Sequence, residues 1–354
     1  MNLEDLEKFN FTLPEELIRK KGVEPRDSAR LFVYDTKSNT ITHSTFRDLA
    51  TFLPEKSLLV LNDTRVIPAR LWLTKETGGK IEVFVLMNEL ESTERIPVLV
   101  DRKTIPGAKL YFNEDKSLYF EVKEQVENRF FVQLMGTEET LQDILLQYGQ
   151  TPLPHYLEGE ATPESTLRER YQTIFAKNVA ENFSVAAPTA SLHFTDAVFK
   201  GLADKSIEKA TLTLDVGLGT FAPLKDEHFA KNTLHQEKVS IGQGALSNLQ
   251  DAKKNKRPII AIGTTVTRSL ESLAMKDITE PSSFTTDIFI TPGYHFQNSD
   301  ILITNFHLPK SSLMLLVEAF LQDKKAKRGV VDLYHEAIKE GYSFYSFGDS
   351  MLIL

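Results

Sequence analysis

The spacing of apolar positions divides the chain into three stretches. Up to about residue 70 the pattern is mixed. One run there, Leu58-Leu-Val-Leu-Asn62, is apolar enough for a strand buried on both faces. It leads into Asp63-Thr-Arg-Val-Ile-Pro-Ala-Arg70, a loop that opens on another strand. Between 71 and 135 six short runs follow, at 71–73, 80–86, 96–100, 109–112, 117–122 and 129–134. Gly78-Gly79, Pro106-Gly107 and Asn113-Glu-Asp115 punctuate them. Short strands at even spacing predict a small antiparallel barrel or sandwich. Residues 141–148 predict a short helix, and the proline-bearing 151–163 a linker back to the main body.

From about 165 onward strand patterns alternate with helical ones. A strand at 210–216 feeds Gly217-Leu-Gly219. A strand at 259–263 feeds Thr264-Thr265 and a helix running to about Met275. A strand at 301–304 feeds Asn305-Phe-His-Leu308 and a helix from Pro309 to about Gln322, where proline suits the first turn. Such units predict an α/β body whose ligand crevice lies at the carboxyl ends of its strands.

The chain has 354 residues, enough for two domains, and its 41% hydrophobic and 25% charged residues are the balance of a soluble globular protein. The first ten residues are acidic, not basic-then-apolar, and the apolar stretch at 313–317 is far too short to cross a bilayer. The expectation is a cytoplasmic protein with no membrane partner. With no cysteine in the chain, disulfides, thiolate nucleophiles, iron–sulfur clusters and cysteine-bound zinc are excluded. A net charge of −8 argues against bulk nucleic-acid binding but permits a local basic face. Lys253, Lys254, Lys256 and Arg257, or Lys325, Lys327 and Arg328, could form one, although solvated surface is the simpler reading of each cluster.

Candidate chemistry concentrates in four irregular segments. Ser184-Val-Ala-Ala-Pro-Thr-Ala-Ser-Leu-His-Phe-Thr195 is too irregular for a core helix or strand and predicts a shaped loop carrying Ser184, Pro188, Thr189 and His193. Gly217 and Gly219 permit close backbone approach to a ligand, or simply a turn. Asp215 before them is a proton acceptor, a ribose ligand or a strand-end cap. Thr264, Thr265 and Arg268 at a helix start suit a carboxylate or phosphate, or else cap the helix and pair at the surface. His193, His235 and His307 are each a general acid or base, or a hydrogen-bonded structural residue. His235 with Glu237 offers two metal ligands, too few for a site. Asp63, Arg65 and Arg70 mark a cleft between body and barrel, or an ion-pair cluster fixing that hinge. At the level of fold alone, an α/β body is also compatible with an ordinary S-adenosylmethionine-dependent methyltransferase.

Taken together, these segments resemble the S-adenosylmethionine:tRNA ribosyltransferase-isomerase family of queuosine biosynthesis. The resemblance is carried nearly end to end by Phe9-Asn-Phe-Thr-Leu-Pro-Glu-Glu-Leu-Ile18, Arg26-Asp-Ser-Ala-Arg-Leu31, Asn62–Leu71, Arg170-Tyr-Gln-Thr-Ile-Phe-Ala176, the 184–195 loop, Val216-Gly-Leu-Gly-Thr-Phe221, His235-Gln-Glu237, Leu270-Glu-Ser272, Leu302-Ile-Thr-Asn-Phe-His-Leu-Pro-Lys-Ser311 and Phe347-Gly-Asp-Ser-Met-Leu-Ile353. It implies an α/β main domain (1–70 plus 158–354) with an inserted small six-stranded antiparallel β-barrel (71–157). The implied reaction moves and isomerises the ribosyl group of S-adenosylmethionine onto 7-aminomethyl-7-deazaguanine at the tRNA wobble position, giving epoxyqueuosine-tRNA, adenine and methionine. S-adenosylmethionine is then a consumed substrate, no cofactor or metal is expected, and the enzyme is expected to act as a monomer. The resemblance makes His193, His235, Glu237, His307 and Asp215 candidates for proton transfer. Under that reaction Thr264, Thr265 and Arg268 would suit the methionine carboxylate, and Asn305 and Lys310 are candidates to hold tRNA phosphate or a base edge. The family commonly has histidine at the position of Asp215, arginine at Ala222 and glycine at Ser191. A relative that binds tRNA or a nucleotide with weak or altered activity is the alternative.

Overall fold

The computed structural model describes residues 1–114, 116–153, 162–177, 183–217 and 223–354. Among the described residues the strands, in chain order, are β1 (Arg30–Asp35), β2 (Thr40–Thr45), β3 (Leu58–Asn62), β4 (Arg65–Val66), β5 (Arg70–Lys75), β6 (Lys80–Val85), β7 (Ile96–Val100), β8 (Lys109–Tyr111), β9 (Tyr119–Val126), β10 (Arg129–Met135), β11 (Phe183–Ser184), β12 (Glu208–Asp215), β13 (Thr233–Ile241), β14 (Ile259–Ile262), β15 (Ser282–Ile288), β16 (Ile301–Asn305) and β17 (Ser350–Ile353). The helices are α1 (Leu49–Phe52), α2 (Leu141–Tyr148), α3 (Glu164–Arg170), α4 (Asp196–Asp204), α5 (Asp226–Lys231), α6 (Gln243–Lys254), α7 (Thr264–Met275), α8 (Ser312–Asp323) and α9 (Val330–Lys339).

The body is a mixed nine-stranded sheet in the order β15-β13-β12-β3-β14-β16-β17-β1-β2. Its centre, β12, β3, β14 and β16, is parallel. The antiparallel additions, β13 and β15 at one side and β17 beside β16, were not legible as separate strands in the sequence. All five residues of β3 are buried, and they alternate between two cores. Leu59 and Leu61 join Ile260, Ile262 and Phe194 on one face. Leu58 and Val60 join Leu249, Val266 and Leu270 from α6 and α7 on the other. Burial on both faces is why the run looks continuously apolar.

The six runs predicted over 71–135 are β5 to β10, and every pairing among them is antiparallel. The order β10-β7-β6-β5-β8-β9 closes on itself. These strands enclose their own core, with Leu71, Ile81, Val83, Phe120 and Val132 inside and Leu141 and Leu145 of α2 against it. Helix α2 has the predicted bounds, and Thr140 and Asp143 form a capping box at its start.

Helix α8 corrects one expectation. It begins at Ser312, not at Pro309. The Ser311 hydroxyl accepts from the Met314 N–H, while Pro309 and Lys310 form a turn ahead of it. A side-chain cap satisfies an orphan donor that a first-turn proline would merely have avoided.

Candidate active site

Strand register brings the carboxyl ends of β12, β3, β14 and β16 to one edge of the sheet, because Leu212 pairs with Asn62, Ala261 with Val60 and Ile262 with Ile303. The start of β17 meets the same edge, with Ser350 opposite Asn305. The 184–195 loop crosses this edge. The Ser184 hydroxyl accepts from the Val216 N–H at 2.7 Å and lies 2.9 Å from the Thr64 hydroxyl. Pro188 is buried and leads into a single helical turn, Thr189–Ser191. Thr189 Oγ1 donates to Asn305 Oδ1 at 3.1 Å. At the far end Thr195 caps α4 and donates to Asp27 at 3.0 Å.

At the β12 end of the edge three carboxylates sit among buried hydroxyls and cations. Asp215 is 5% exposed, and Thr64 Oγ1 approaches it at 3.4 Å. Burial pushes its carboxyl up to about 7, with Asp63 and Glu237 adding to the rise and Lys238 and the Thr64 hydrogen bond opposing it. Asp63 accepts from Thr213 at 2.6 Å and pairs with Lys177 at 2.5 Å. Glu237 accepts from the Gly217 N–H at 3.4 Å and pairs with Arg268 at 2.6 Å, both side chains almost fully buried. Gly217 is buried, and a Cβ there would stand 3.0 Å from Asn88 Nδ2, so the backbone comes close to the six-stranded unit. Gly219 and Ala222 lie outside the described residues.

At β14, Gly263 has φ 89°, a conformation that strains any residue with a Cβ, and it places Thr264 and Thr265 at the start of α7. Both threonines are buried. Arg268 uses Nη1 for Glu237, while its Nε and Nη2 are buried without a partner among the described residues. Asn305 Nδ2 and Ser191 Oγ are likewise buried and unsatisfied. Orphaned polar groups of this kind are costly in a dry core, and those of Arg268, Asn305 and Ser191 lie along this edge.

The histidines separate. His193 is buried beside Phe46 and Leu192. Burial drives it down to about 4, against the pull of Asp349 and of the Arg26 and Gly348 backbone. His307 has both ring nitrogens engaged, with Tyr334 at 3.1 Å and Thr304 at 3.3 Å, and burial lowers it to about 3. It brackets the end of β16 and α9, with each ring nitrogen in a hydrogen bond. His235 is exposed on β13 and meets the His228 ring at 5.5 Å, with no hydrogen bond among the described residues.

The expected Asp63, Arg65 and Arg70 cluster does not pair internally. Asp63 takes Lys177, and Arg70 takes Glu82 at 3.4 Å and the Leu153 carbonyl at 3.3 Å. Arg65 is half-buried, without an ion pair or side-chain hydrogen bond among the described residues. Lys310 pairs with Glu7 at 2.6 Å at the surface. Sequence reasoning missed Thr64 and Lys177. Thr64 sits inside a quoted motif, but nothing local identifies its partners. Among the described residues no three His, Asp or Glu side chains gather as a metal would require.

Over residues 6–353 the chain matches the family described as queuosine biosynthesis protein. It is 43% identical to the S-adenosylmethionine:tRNA ribosyltransferase-isomerase of Flavobacterium psychrophilum, covering 99% of each chain. It is 42% identical to the proteins of that name from Carboxydothermus hydrogenoformans and Aquifex aeolicus, again over 99% of each. A crystal structure of S-adenosylmethionine tRNA ribosyltransferase from Thermotoga maritima is similar with TM-score 0.53 and 29% identity, covering 98% of this chain and 100% of that one. With a buried, donor-rich edge at the carboxyl ends of its strands and a likeness that runs from end to end, this chain belongs to the queuosine biosynthesis protein family.

Proposed function

We propose that the chain is an S-adenosylmethionine:tRNA ribosyltransferase-isomerase. It transfers and isomerises the ribosyl group of S-adenosylmethionine onto 7-aminomethyl-7-deazaguanine at the tRNA wobble position, releasing adenine and methionine. End-to-end identity above 40% with relatives of that name supports the reading. The observation that carries the site is the proximity of Asp215, with a proton affinity near neutrality, to the Glu237–Arg268 pair.

The sulfonium acidifies the C5′ hydrogens, so a base of ordinary strength removes one. Asp215 suits that role, or that of accepting the proton of the attacking amine, because it changes charge near the working pH. The amine replaces adenine at C1′, and the ring oxygen then leaves C1′ to give an iminium. The C5′ carbanion adds to that C1′ and closes the carbocycle, and the O4′ so released displaces methionine from C5′ to close the epoxide. The free N–H groups of Arg268, with Thr264 and Thr265, suit the methionine carboxylate. Ser184 and Thr64 hold the Asp215 end of the cleft in register. Asn305 and the half-buried Arg65 are the groups we assign to the tRNA nucleotide.

We read the closed six-stranded unit as an inserted barrel domain, 71–157, within a main domain of 1–70 plus 158–354. Its separate apolar core supports this, although the junction at 157–158 lies outside the described residues. No described helix is long and apolar enough to cross a membrane, and we place the enzyme in the cytoplasm as a monomer. S-adenosylmethionine is spent as a substrate, and the chemistry needs no separate cofactor.

The test is adenine release. Purified protein, S-adenosylmethionine and tRNA carrying the aminomethyl-deazaguanine should release adenine and yield epoxyqueuosine in the digested nucleosides. Formation of S-adenosylhomocysteine without adenine would instead indicate methyl transfer and end the reading.

A further inference from the structure

Three carboxylates, Asp63, Asp215 and Glu237, meet at the β12 end of the edge, and a cation holds two of them. Glu237 has Arg268, and Asp63 has Lys177, a residue to which the chemistry above gives no part. Asp215 has no ion pair among the described residues, and Lys238, its partner in the β12–β13 ladder, is exposed.

Lys177 is delivered to Asp63 by Arg170-Tyr-Gln-Thr-Ile-Phe-Ala176, one of the segments that carry the family resemblance. Arg26 donates to the carbonyls of Gln172 and Glu169 at 2.6 and 2.8 Å, which ties down the end of α3. The Gln172 side chain exchanges two hydrogen bonds with the Val66 backbone, at 3.1 and 3.2 Å. Phe175 meets the rings of Phe199 and Phe194 edge-on, at 5.8 and 6.4 Å. The Lys177 N–H then donates to the Asp63 carbonyl at 2.9 Å, and its ammonium stands 2.5 Å from Asp63 Oδ2. Backbone and side chain of one lysine thus hold one aspartate.

Asp63 carries that hold toward Asp215. Its Oδ1 accepts from Thr213 Oγ1 at 2.6 Å. Thr213 and Asp215 lie two positions apart on β12, so their side chains share one face of the strand. Thr64, the neighbour of Asp63 in the chain, brings its hydroxyl to 3.4 Å from Asp215 Oδ1. Asp63 therefore acts on Asp215 as a nearby like charge. Its side chain is fully buried, whereas about half of the Lys177 side chain is exposed, so the balancing cation reaches in from the solvent side. Without that cation a buried Asp63 would compete with Asp215 for one proton.

We propose that Lys177 is a positioning residue for the transfer: by holding Asp63 as a carboxylate against Thr213, it leaves Asp215 as the one carboxylate of the three that exchanges a proton with substrate. The proposal rests on the role given to Asp215 above. Of the charged groups around Asp215, which are Asp63, Glu237, Lys238, Arg268 and Lys177, the last can be changed without disturbing a contact of Asp215 or a group assigned to a ligand.

The full-length protein is labelled with ¹³C-carboxyl aspartate, and the Asp215 signal is the one that Asp215→Asn removes. That carboxyl is titrated in parent and variants, and kcat/KM for adenine release is measured against pH. Lys177→Gln should move the Asp215 titration to higher pH, by about threefold or more in proton affinity, and the rate limb should follow. KM for S-adenosylmethionine above that limb should keep the parent value, and Lys177→Arg should restore both curves. Asp63→Asn, which removes the like charge, should move them to lower pH, and it decides alone if Lys177→Gln fails to fold. An Asp215 titration unmoved in either variant overturns the proposal. A titration that moves while the rate limb stays would uphold the link from Lys177 to Asp215 and end the part given to Asp215 in the reaction. The carboxyl signal needs no turnover, so a parent that released no adenine would sink the reaction while the titration still decides on Lys177.

Discussion

Glu237 and Arg268 form a buried ion pair, with Oε2 and Nη1 2.6 Å apart, that joins β13 to α7 beside Gly217. Removing one partner strands the other charge in a dry site, at a cost of about 3–5 kcal/mol. Glu237→Gln and Arg268→Gln should therefore both lower the unfolding free energy measured in urea. Arg268→Gln alone should also raise KM for S-adenosylmethionine, since its remaining N–H groups are the ones assigned to the carboxylate. Equal KM values in the two variants would remove Arg268 from the ligand.

Asp215 predicts a pH signature. Its folded pKa, about 7, stands above the ordinary carboxylate value. Between those values the native state holds more protons than the unfolded chain, so this group makes stability fall as pH rises toward 7. Asp215→Asn should remove that slope and be at least as stable as the parent at pH 8. Activity should collapse by about 10²-fold or more, as expected for a lost general base. The parent kcat/KM should rise with pH through a limb near 7. A limb that survives in Asp215→Asn would assign it to another group.

The buried histidines give the opposite sign. His193 and His307 titrate at about 4 and about 3, below the usual histidine value of 6.5. The unfolded chain then binds more protons, and stability is lost as pH falls below 6.5 toward those values. Thermal melts between pH 7 and pH 4.5 should show this loss, and His307→Gln should flatten it. An unchanged slope in His307→Gln would mean that folding does not shift the His307 pKa.

Glu271 is fully buried in α7 and accepts from Gln297 N, Asn298 N, Ser299 Oγ and Tyr294 Oη, at 2.8, 3.0, 2.9 and 3.3 Å. Burial raises its pKa against those four donors. Glu271→Ala would leave several of them unsatisfied, and a loss of about 2–4 kcal/mol is expected. Hydrogen exchange should accelerate first at 294–299, the segment this carboxylate ties down. Uniform acceleration across the chain would argue instead for global weakening.

Gly263 tests the entry to α7. Gly263→Ala puts a Cβ at φ 89° and 3.4 Å from the Ala190 Cβ. The backbone strain should cost about 1–3 kcal/mol. A melting temperature equal to that of the parent would show that the turn relaxes.

Side-chain periodicity is a local property of a chain, and local features were readable without coordinates. The buried run at 58–62, the six short strands after residue 71 and the helix at 141–148 all stand close to where their spacing put them. The four irregular segments were visible for the same reason, since prolines, glycines and hydroxyls interrupt any regular period. Their convergence on one edge followed only from strand register, which aligns Asn62, Ile262, Asn305 and Ser350 across more than 280 positions of chain. Nothing near Asp63 announces Lys177, nor anything near Glu237 the guanidinium of Arg268. Proton affinity is set the same way: His193 and His307 look like any histidine in the chain, and burial lowers both. Desolvation and ion pairing arise between segments that meet only when the chain has folded, so the chemistry of each candidate was decided there.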